Sequence, residues 1–286
     1  MNRIPDVDMT DKVVIVTGSN TGIGKAIARD LALMGATVVL ACRSRERAEA
    51  AASDIIDQTD NQQVDVMLVD LSSQDSIRDF CERFRGKYER LDVLINNAGV
   101  WPSERALTVD DIELTWATNV LGYFLLTNEL IELLRKSAPA RIVNVASGFA
   151  GQLDLDDVQF ERRRFEGWRA YRQSKQANRM LTWTLAERLE GSGVTAHAIH
   201  PGGVSTELFR EWRGPMAFFQ SIYDRVASRT PTQGADTATY VAVAPKLENV
   251  TGGYWFNRRQ RRRKFYDVTA MKQLWELCER MTQRAD

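Results

Sequence analysis

A tyrosine and a lysine stand four positions apart, at Tyr171 and Lys175, in a stretch of helical periodicity over residues 168–190. Residues four apart lie on one face of a helix, so both side chains project together. A free phenol has a pKa of about 10 and is a poor acid or base at neutral pH. A neighbouring ammonium lowers that pKa and makes the tyrosine a usable proton donor and acceptor. The pair therefore predicts general acid/base chemistry.

A glycine-rich turn supplies a second chemistry. Residues 17–24 follow the apolar run 13–17 and open a helical stretch. Glycines let the backbone approach a pyrophosphate, and the N-terminus of the next helix offers free N–H groups. The strand–turn–helix context predicts a dinucleotide site, with a tight structural turn as the alternative. The expected cofactor contacts are Gly18, Ser19, Asn20, Thr21, Gly22, Ile23 and Gly24.

The second apolar run indicates which dinucleotide binds. NAD-binding domains usually place a carboxylate at the end of this strand, where it holds the ribose hydroxyls. Here the chain reads Ala41-Cys42-Arg43-Ser44, without an acid. The planar guanidinium of Arg43 can pair with a 2′-phosphate. We therefore predict NADP(H), with an ordinary surface arginine as the alternative for Arg43.

Strands and helices must position these groups. Short, nearly all-apolar runs alternate with amphipathic stretches, which is typical of a parallel sheet covered by helices on both faces. We expect an α/β fold, a single doubly wound Rossmann-type domain over residues 1–286. The predicted strands are 13–17, 37–41, 64–70, 91–96, 141–145, 195–199 and 253–256, about seven in all. The predicted helices are 22–34, 45–58, 75–88, 110–135, 168–190 and 268–281.

Two segments interrupt this rhythm. Residues 151–168 form an insertion, and residues 205–230 are rich in apolar and aromatic side chains. Long ordered loops in compact domains are usually functional, so each is a candidate lid. We expect 205–230 to be a substrate loop that contacts a bulky apolar substrate.

Further motifs appear in a fixed order over residues 12–206. They are TGxxxGxG at 17–24, Asn96-Asn97-Ala98-Gly99, Asn119, Ser147, and Pro201-Gly202 with Val204 and Thr206. With the Tyr171 and Lys175 pair, they resemble the short-chain dehydrogenase/reductase family. Ser147 lies 24 positions before Tyr171, about twice the usual separation in that family, because of the 151–168 insertion. That insertion and the sequence over 171–178 resemble the retinol dehydrogenase and carbonyl reductase branch.

The resemblance implies a role for each matching residue. Tyr171 would exchange a proton with the substrate oxygen, and Ser147 would hold that oxygen. Lys175 would lower the pKa of Tyr171 and bind the nicotinamide ribose, while Asn119 would support a water-linked proton relay. Asp70 would contact the adenine, although it could equally cap the next helix. The implied cofactor contacts beyond the glycine turn and Arg43 are Asp70, Leu71, Asn97, Ala98, Gly99, Tyr171, Lys175, Pro201, Gly202, Val204 and Thr206.

The charge balance, the apolar runs and the cysteines of the sequence each argue against certain classes of function. Lys plus Arg and Asp plus Glu number 38 each, so no overall field attracts nucleic acid or an anionic membrane. No run approaches the roughly 20 apolar residues of a membrane span, and the first dozen residues lack the apolar core of a signal peptide. The three cysteines form no CxxC pair. We expect a cytoplasmic protein without a nucleic-acid partner.

His197 and His200 are the two histidines, and neither has a second ligand at metal spacing, so we predict no metal. The basic run 258–264 is interpreted as a solvated loop, partly paired with acids; nucleic acid or anionic lipid is the alternative. It would suit an anionic substrate if it bordered the site. The family resemblance implies a homodimer or homotetramer.

These observations predict an oxidoreductase that moves a hydride between NADP(H) and a carbonyl/alcohol pair. The expected substrate is a bulky, hydrophobic aldehyde, ketone or secondary alcohol, as for retinol dehydrogenases. A reductase of C=C bonds resembling protochlorophyllide reductase is one alternative. A non-catalytic NADP(H)-sensing protein is another, although such relatives tend to lose the tyrosine or lysine.

Overall fold

The computed structural model describes residues 6–204 and 229–283. Its first part contains β1 (Val13–Thr17), α1 (Gly22–Leu33), β2 (Thr37–Cys42), α2 (Arg45–Thr59), β3 (Val64–Leu68), α3 (Gln74–Lys87) and β4 (Val93–Asn96). The middle part contains α4 (Leu114–Trp116), a π-helical turn (Ala117–Leu121), α5 (Gly122–Lys136), β5 (Ala140–Val145), α6 (Gly167–Arg188) and β6 (Val194–Ile199). The last part contains α7 (Pro231–Val243), a 3₁₀ turn (Pro245–Leu247), β7 (Gly253–Phe256), β8 (Arg259–Arg261) and α8 (Val268–Thr282).

These strands form one sheet in the order β3-β2-β1-β4-β5-β6-β7-β8. Neighbouring strands from β3 to β7 run parallel, and β8 runs antiparallel to β7. The strand order reverses between β1 and β4. In open parallel sheets, ligands bind outside the carboxyl ends of the strands at such a switch point.

Each face of the sheet has its own apolar core. On β1, Ile15 packs with residues of α3, α5, α6 and α8, while Val14 and Val16 pack with residues of α1, α2 and α7. All five residues of β1 are buried, as expected for a strand covered on both faces. The doubly wound α/β fold predicted from the sequence is confirmed.

The strand count is eight rather than about seven. The extra strand, β8, reads Arg259-Gln260-Arg261, and all three residues are exposed. A charged edge strand carries no apolar alternation, so periodicity does not reveal it. Part of the predicted solvated loop is therefore an edge strand. Arg258, just before it, forms an ion pair with Asp236.

Helix α7 was not predicted, although its start carries a recognisable signal. The Thr230 hydroxyl accepts from Gln233 N at 3.2 Å, and Gln233 Oε1 accepts from Thr230 N at 3.0 Å. With Pro231 at the first helical position, this is a capping box. The predicted helix 110–135 was also wrong at its start, because the buried Glu113 carboxylate accepts from the N–H groups of residues 115 and 116 and caps α4.

The insertion 151–168 is coil until α6 begins, and it is fixed onto that helix. The Asp157 carboxylate accepts from Glu161 N at 2.8 Å through Oδ1 and from Arg163 N at 3.0 Å through Oδ2. From α6, Gln173 Nε2 donates to Val158 O at 2.7 Å. The other candidate lid, 205–230, lies almost entirely outside the described residues.

Candidate active site

A cleft of about 790 Å³ lies at the carboxyl ends of the strands around the switch point. Arg43 lines it on the β2 side, and Tyr171 and Lys175 line it on the β5 side. The glycine-rich turn lies between them, after β1. The fold therefore brings the residues of the predicted dinucleotide site and the predicted acid/base pair to one cleft.

The glycine turn is packed too tightly for side chains. Gly18 has φ +63°, and a Cβ there would lie 2.8 Å from Ala98 Cα. A Cβ on Gly24 would lie 2.4 Å from Gly18 O and 2.5 Å from Asn97 Nδ2. Thr21, at the N-cap of α1, forms no side-chain capping hydrogen bond. The first N–H groups of α1 are thus left to an anion, and the turn fits a pyrophosphate.

The β2 side of the cleft is basic and polar. Arg43, Ser44 and Arg47 line it together, and Ser44 caps α2 by accepting from Arg47 N at 3.5 Å. Cys42 is buried, and burial raises the pKa of its thiol. No negative charge therefore arises on Cys42, the position at which NAD-binding domains usually carry an acid, so this end of the cleft would not repel an anion.

Asp70 and Leu71 line the same side of the cleft, just beyond β3. Asp70 Oδ1 accepts from Ser72 N at 2.9 Å and from Ser72 Oγ at 2.6 Å. The N-cap of α3 is Ser73, which accepts from Ser76 N. The alternative that Asp70 caps this helix was therefore wrong. β3 ends at Leu68, two residues before the predicted end.

On the β5 side, burial governs the acid/base pair. Tyr171 is 8% exposed and Lys175 is 3% exposed. Burial raises the pKa of Tyr171 to about 12, against a hydrogen bond with Ser147 that lowers it. Burial lowers the pKa of Lys175 to about 7. The lysine Nζ donates to Val145 O at 2.9 Å and lies 5.6 Å from the Tyr171 ring centroid, so it contacts the end of β5.

Asn119 lies in the π-helical turn, fully buried beside Lys175. Its Oδ1 accepts from Val100 N at 2.8 Å, and its Nδ2 donates to Val100 O at 3.0 Å and to Ser174 Oγ at 3.2 Å. A Cβ on Gly99 would lie 3.3 Å from Asn119 Oδ1 and 3.7 Å from Lys175 Nζ. Single π-turns inside helices are frequent at functional sites, and this one fixes the amide beside the lysine.

The side chains of several predicted residues hydrogen-bond the neighbouring backbone, and Ser19 and Ser147 are not among the residues that line the cleft. The buried Ser19 hydroxyl donates to Val16 O at 2.8 Å and lies 3.4 Å from Cys42 Sγ, so its side chain supports the turn. Asn97 lines the cleft, but its Nδ2 donates to Thr17 O at 2.9 Å and ties β4 to β1. Ser147 follows β5, and its Oγ accepts from Phe149 N at 3.0 Å.

The loop after β6 contributes Pro201 to the cleft wall. Gly202 is covered by Arg229, whose Cδ would lie 2.6 Å from a Cβ there, and Val204 pairs with Arg229 in an isolated bridge. Thr206 lies outside the described residues.

Sequence reasoning missed part of the cleft wall. Trp101 stacks on Tyr171 with ring centroids 4.2 Å apart and an interplanar angle of 6°. An aromatic residue two positions after Gly99 was the available signal. Arg47 was also missed, although it stands four positions after Arg43 near a helix start. The other missed wall residues are Ala41, Ser44, Val69, Val100, Pro102, Leu114, Thr118, Val145 and Ala146.

Comparison with known proteins decides the family. The short chain dehydrogenase family model matches residues 12–216, most of the chain. The chain belongs to the short-chain dehydrogenase/reductase family. It is therefore an oxidoreductase of alcohol and carbonyl groups that uses a nicotinamide cofactor.

Individual members of the short-chain dehydrogenase/reductase family extend the comparison. Retinol dehydrogenase 13 of Homo sapiens is 43% identical over 256 residues, covering 87% of this chain and 77% of the relative. The structure of an uncharacterized protein from Mycobacterium Paratuberculosis has a TM-score of 0.78 at 32% identity, covering 96% of this chain and 95% of its own. A short chain dehydrogenase from Burkholderia cenocepacia J2315, in complex with NADP, has a TM-score of 0.68 at 27% identity, covering 86% and 96%.

Within residues 6–204 and 229–283, no helix is both long and apolar enough to cross a membrane. No three His, Cys, Asp or Glu side chains in these residues form a group that would hold a metal. His197 Nδ1 instead accepts from Trp255 Nε1 at 3.1 Å, and His200 stacks on Phe256.

Proposed function

We propose that this protein transfers a hydride between NADP(H) and the carbonyl or alcohol carbon of a bulky apolar substrate. One observation carries the proposal: Arg43 and Arg47 line the same cleft as Tyr171 and Lys175. A 2′-phosphate site and a proton-transfer group thus share one cleft across the switch point. The retinol dehydrogenase relatives support the substrate class.

The cofactor preference rests on charge at the end of β2. The residues Arg43, Ser44 and Arg47 line the cleft there, and the neighbouring Cys42 is neutral. Arginine binds a phosphate through charge-assisted hydrogen bonds, whereas a carboxylate there would repel it. NADP(H) is therefore preferred over NAD(H). The cofactor supplies the hydride.

Proton transfer falls to Tyr171. During reduction its phenol O–H protonates the substrate oxygen, and during oxidation its phenolate removes the alcohol proton. Ser147, which hydrogen-bonds Tyr171, donates to the same oxygen as its negative charge develops. A cationic Lys175 favours the phenolate form of Tyr171. Asn119 supports a water-linked proton relay from Lys175. From the family resemblance, Val204 and Thr206 would hold the carboxamide of the nicotinamide.

The substrate end of the cleft is apolar, which supports a hydrophobic aldehyde, ketone or secondary alcohol. Trp101, Pro102 and Leu114 line it, and Trp101 covers one face of the Tyr171 ring. Retinal fits this class. The loop 205–230 and the insertion 151–168 stay predicted lids. Homo-oligomer formation and a cytoplasmic location also stay predictions.

The test is NADPH oxidation, followed by absorbance, across aldehydes, ketones, retinal, steroids and enones, with NADH in parallel. We expect turnover with NADPH on bulky apolar carbonyls and weaker use of NADH. Turnover restricted to the C=C bond of enones would replace the proposal with the C=C reductase. Tight NADPH binding without turnover of any compound would favour a sensing protein.

A further inference from the structure

Arg179 is a buried cation on the helix that carries the acid/base pair. It lies one turn after Lys175 and two turns after Tyr171 on α6, and its side chain is 3% exposed. Among the described residues, no carboxylate forms an ion pair with Arg179, and its Nε has no hydrogen-bond partner. Burial lowers the pKa of the guanidinium. An uncompensated buried charge costs stability, so its presence points to a role beyond packing.

The guanidinium binds the loop that follows β5. Its Nη2 donates to Ser147 O and to Tyr254 OH. Its Cζ lies 3.9 Å from the Tyr254 ring centroid, which gives the cation an aromatic partner in place of an acid. Tyr254 OH itself lies 3.4 Å from Ser147 O. The backbone of Ser147 is therefore held by a side chain of α6 and one of β7.

Lys175 makes the matching contact one turn earlier. Its Nζ donates to Val145 O at 2.9 Å, while Arg179 donates to Ser147 O. Two basic side chains from successive turns of α6 thus bind two carbonyls, one at the end of β5 and one just beyond it. Ser147, whose carbonyl Arg179 binds, hydrogen-bonds Tyr171 through its side chain.

His200 packs against the same loop from β6. A Cβ on Gly148 would lie 2.7 Å from His200 Nε2. Burial, with Arg179 and Arg229 nearby, lowers the pKa of His200 to about 4, so its imidazole is neutral at physiological pH. Of His200 and Arg179, which both pack against this loop, only Arg179 is charged at that pH.

We propose that Arg179 is a positioning residue that fixes Ser147 on Tyr171 and adds buried positive charge behind the substrate oxygen. The inference rests on the proposed function, because it assigns Arg179 to that reaction. A fixed charge and a fixed hydroxyl stabilise the developing oxyanion more than the neutral carbonyl. Arg179 therefore acts on kcat, and cofactor binding at the glycine turn and Arg43 does not depend on it.

The experiment compares Arg179→Met, Arg179→Lys and Tyr254→Phe with the wild type. Steady-state kcat and KM are measured with NADPH and the best carbonyl substrate, and NADPH binding is followed by fluorescence. The matched control is Arg188→Met, because Arg188 lies on the same helix with its Cζ 4.3 Å from the Trp275 ring centroid, away from the cleft.

We expect Arg179→Met to lower kcat about tenfold or more with NADPH affinity unchanged. Arg179→Lys restores part of that loss because it keeps the charge, and Tyr254→Phe lowers kcat less. Arg188→Met matches the wild type. A folded Arg179→Met variant with wild-type kcat, or an Arg179→Lys variant no better than it, overturns the inference.

If Arg179→Met does not fold, the other two variants decide: wild-type kcat in both Arg179→Lys and Tyr254→Phe overturns the inference. A wild-type protein that binds NADPH but reduces no carbonyl contradicts the proposed function itself. That failure appears before any variant is compared, so the two failures are distinguishable.

Discussion

The indole of Trp101 lies face to face with the phenol of Tyr171, with 4.2 Å between the ring centroids and 6° between the planes. Trp101 lies in the loop after β4, and Tyr171 belongs to α6, so the contact joins distant parts of the chain. Phe149 extends the stack at 5.8 Å from Trp101. The stack shields the phenol from solvent, and burial is the main reason why the pKa of Tyr171 is raised.

Trp101→Ala should therefore lower the pKa of Tyr171 toward its ordinary value. Less burial means a smaller penalty for the phenolate, which is the form that accepts the alcohol proton. The pH profile of kcat/KM for alcohol oxidation should move to lower pH. Trp168→Ala is the control, because Trp168 contacts Arg169 and Arg172 rather than Tyr171. An unmoved profile in Trp101→Ala would mean that the indole does not set this pKa.

Arg43→Ala should weaken NADPH binding far more than NADH binding. In the proposed function the guanidinium pairs with the 2′-phosphate, which NADH lacks, and one charge-assisted hydrogen bond contributes about 1.5–3 kcal/mol. We expect a loss of about tenfold to a hundredfold for NADPH, measured as Kd by fluorescence titration.

Arg45→Ala provides the matched control for this loss. Arg45 starts α2 and pairs with the exposed Glu49. It should leave both dissociation constants near those of the wild type. Equal losses of NADPH and NADH in Arg43→Ala would reject the 2′-phosphate role.

Lys175→Met should stabilise the cofactor-free protein below pH 7. Burial lowers the pKa of Lys175 from 10.5 to about 7, so between these values the unfolded chain binds more protons than the folded chain. The free energy of unfolding is therefore unaffected by this lysine above pH 10.5, and it decreases as the pH falls from 10.5 to about 7. Lys175→Met removes this burial penalty, which is on the order of a few kcal/mol in the free energy of unfolding. The variant also loses one hydrogen bond, which contributes about 1 kcal/mol.

Urea unfolding at several pH values measures this difference. The stability advantage of Lys175→Met should be largest at pH 6 and should shrink steadily toward pH 10. Lys272→Met, on the exposed side of α8, is the control and should show no such trend. A variant less stable than the wild type at pH 6 would contradict the assigned burial penalty.

The sequence predicted the fold well where local patterns and tertiary burial agree. The strands 13–17 and 253–256 match β1 and β7 in full, since both are apolar runs. β8 was missed because its three residues are exposed and polar. Helix α7 was missed because its mostly small and polar residues give weak periodicity, although the capping box at Thr230 was readable.

The residues of the candidate site also fall into two groups, those that a local sequence pattern indicates and those that it does not. Tyr171, Lys175 and the glycine turn carry their own local spacing, and the structure brings them to one cleft. Trp101 and Arg179 owe their positions to contacts with distant elements. Apart from the place of Trp101 two residues after Gly99, no local pattern indicates them. The contact of Lys175 with Val145 O also depends on how α6 packs on β5.

Tyr171→Phe removes the phenol oxygen to which we assign proton exchange with the substrate. The rate of NADPH oxidation with the best carbonyl substrate is measured beside NADPH affinity, in the wild type and the variant. We expect turnover to fall by about a hundredfold or more while NADPH binds almost as tightly as before. Turnover at the wild-type rate in Tyr171→Phe would contradict that assignment.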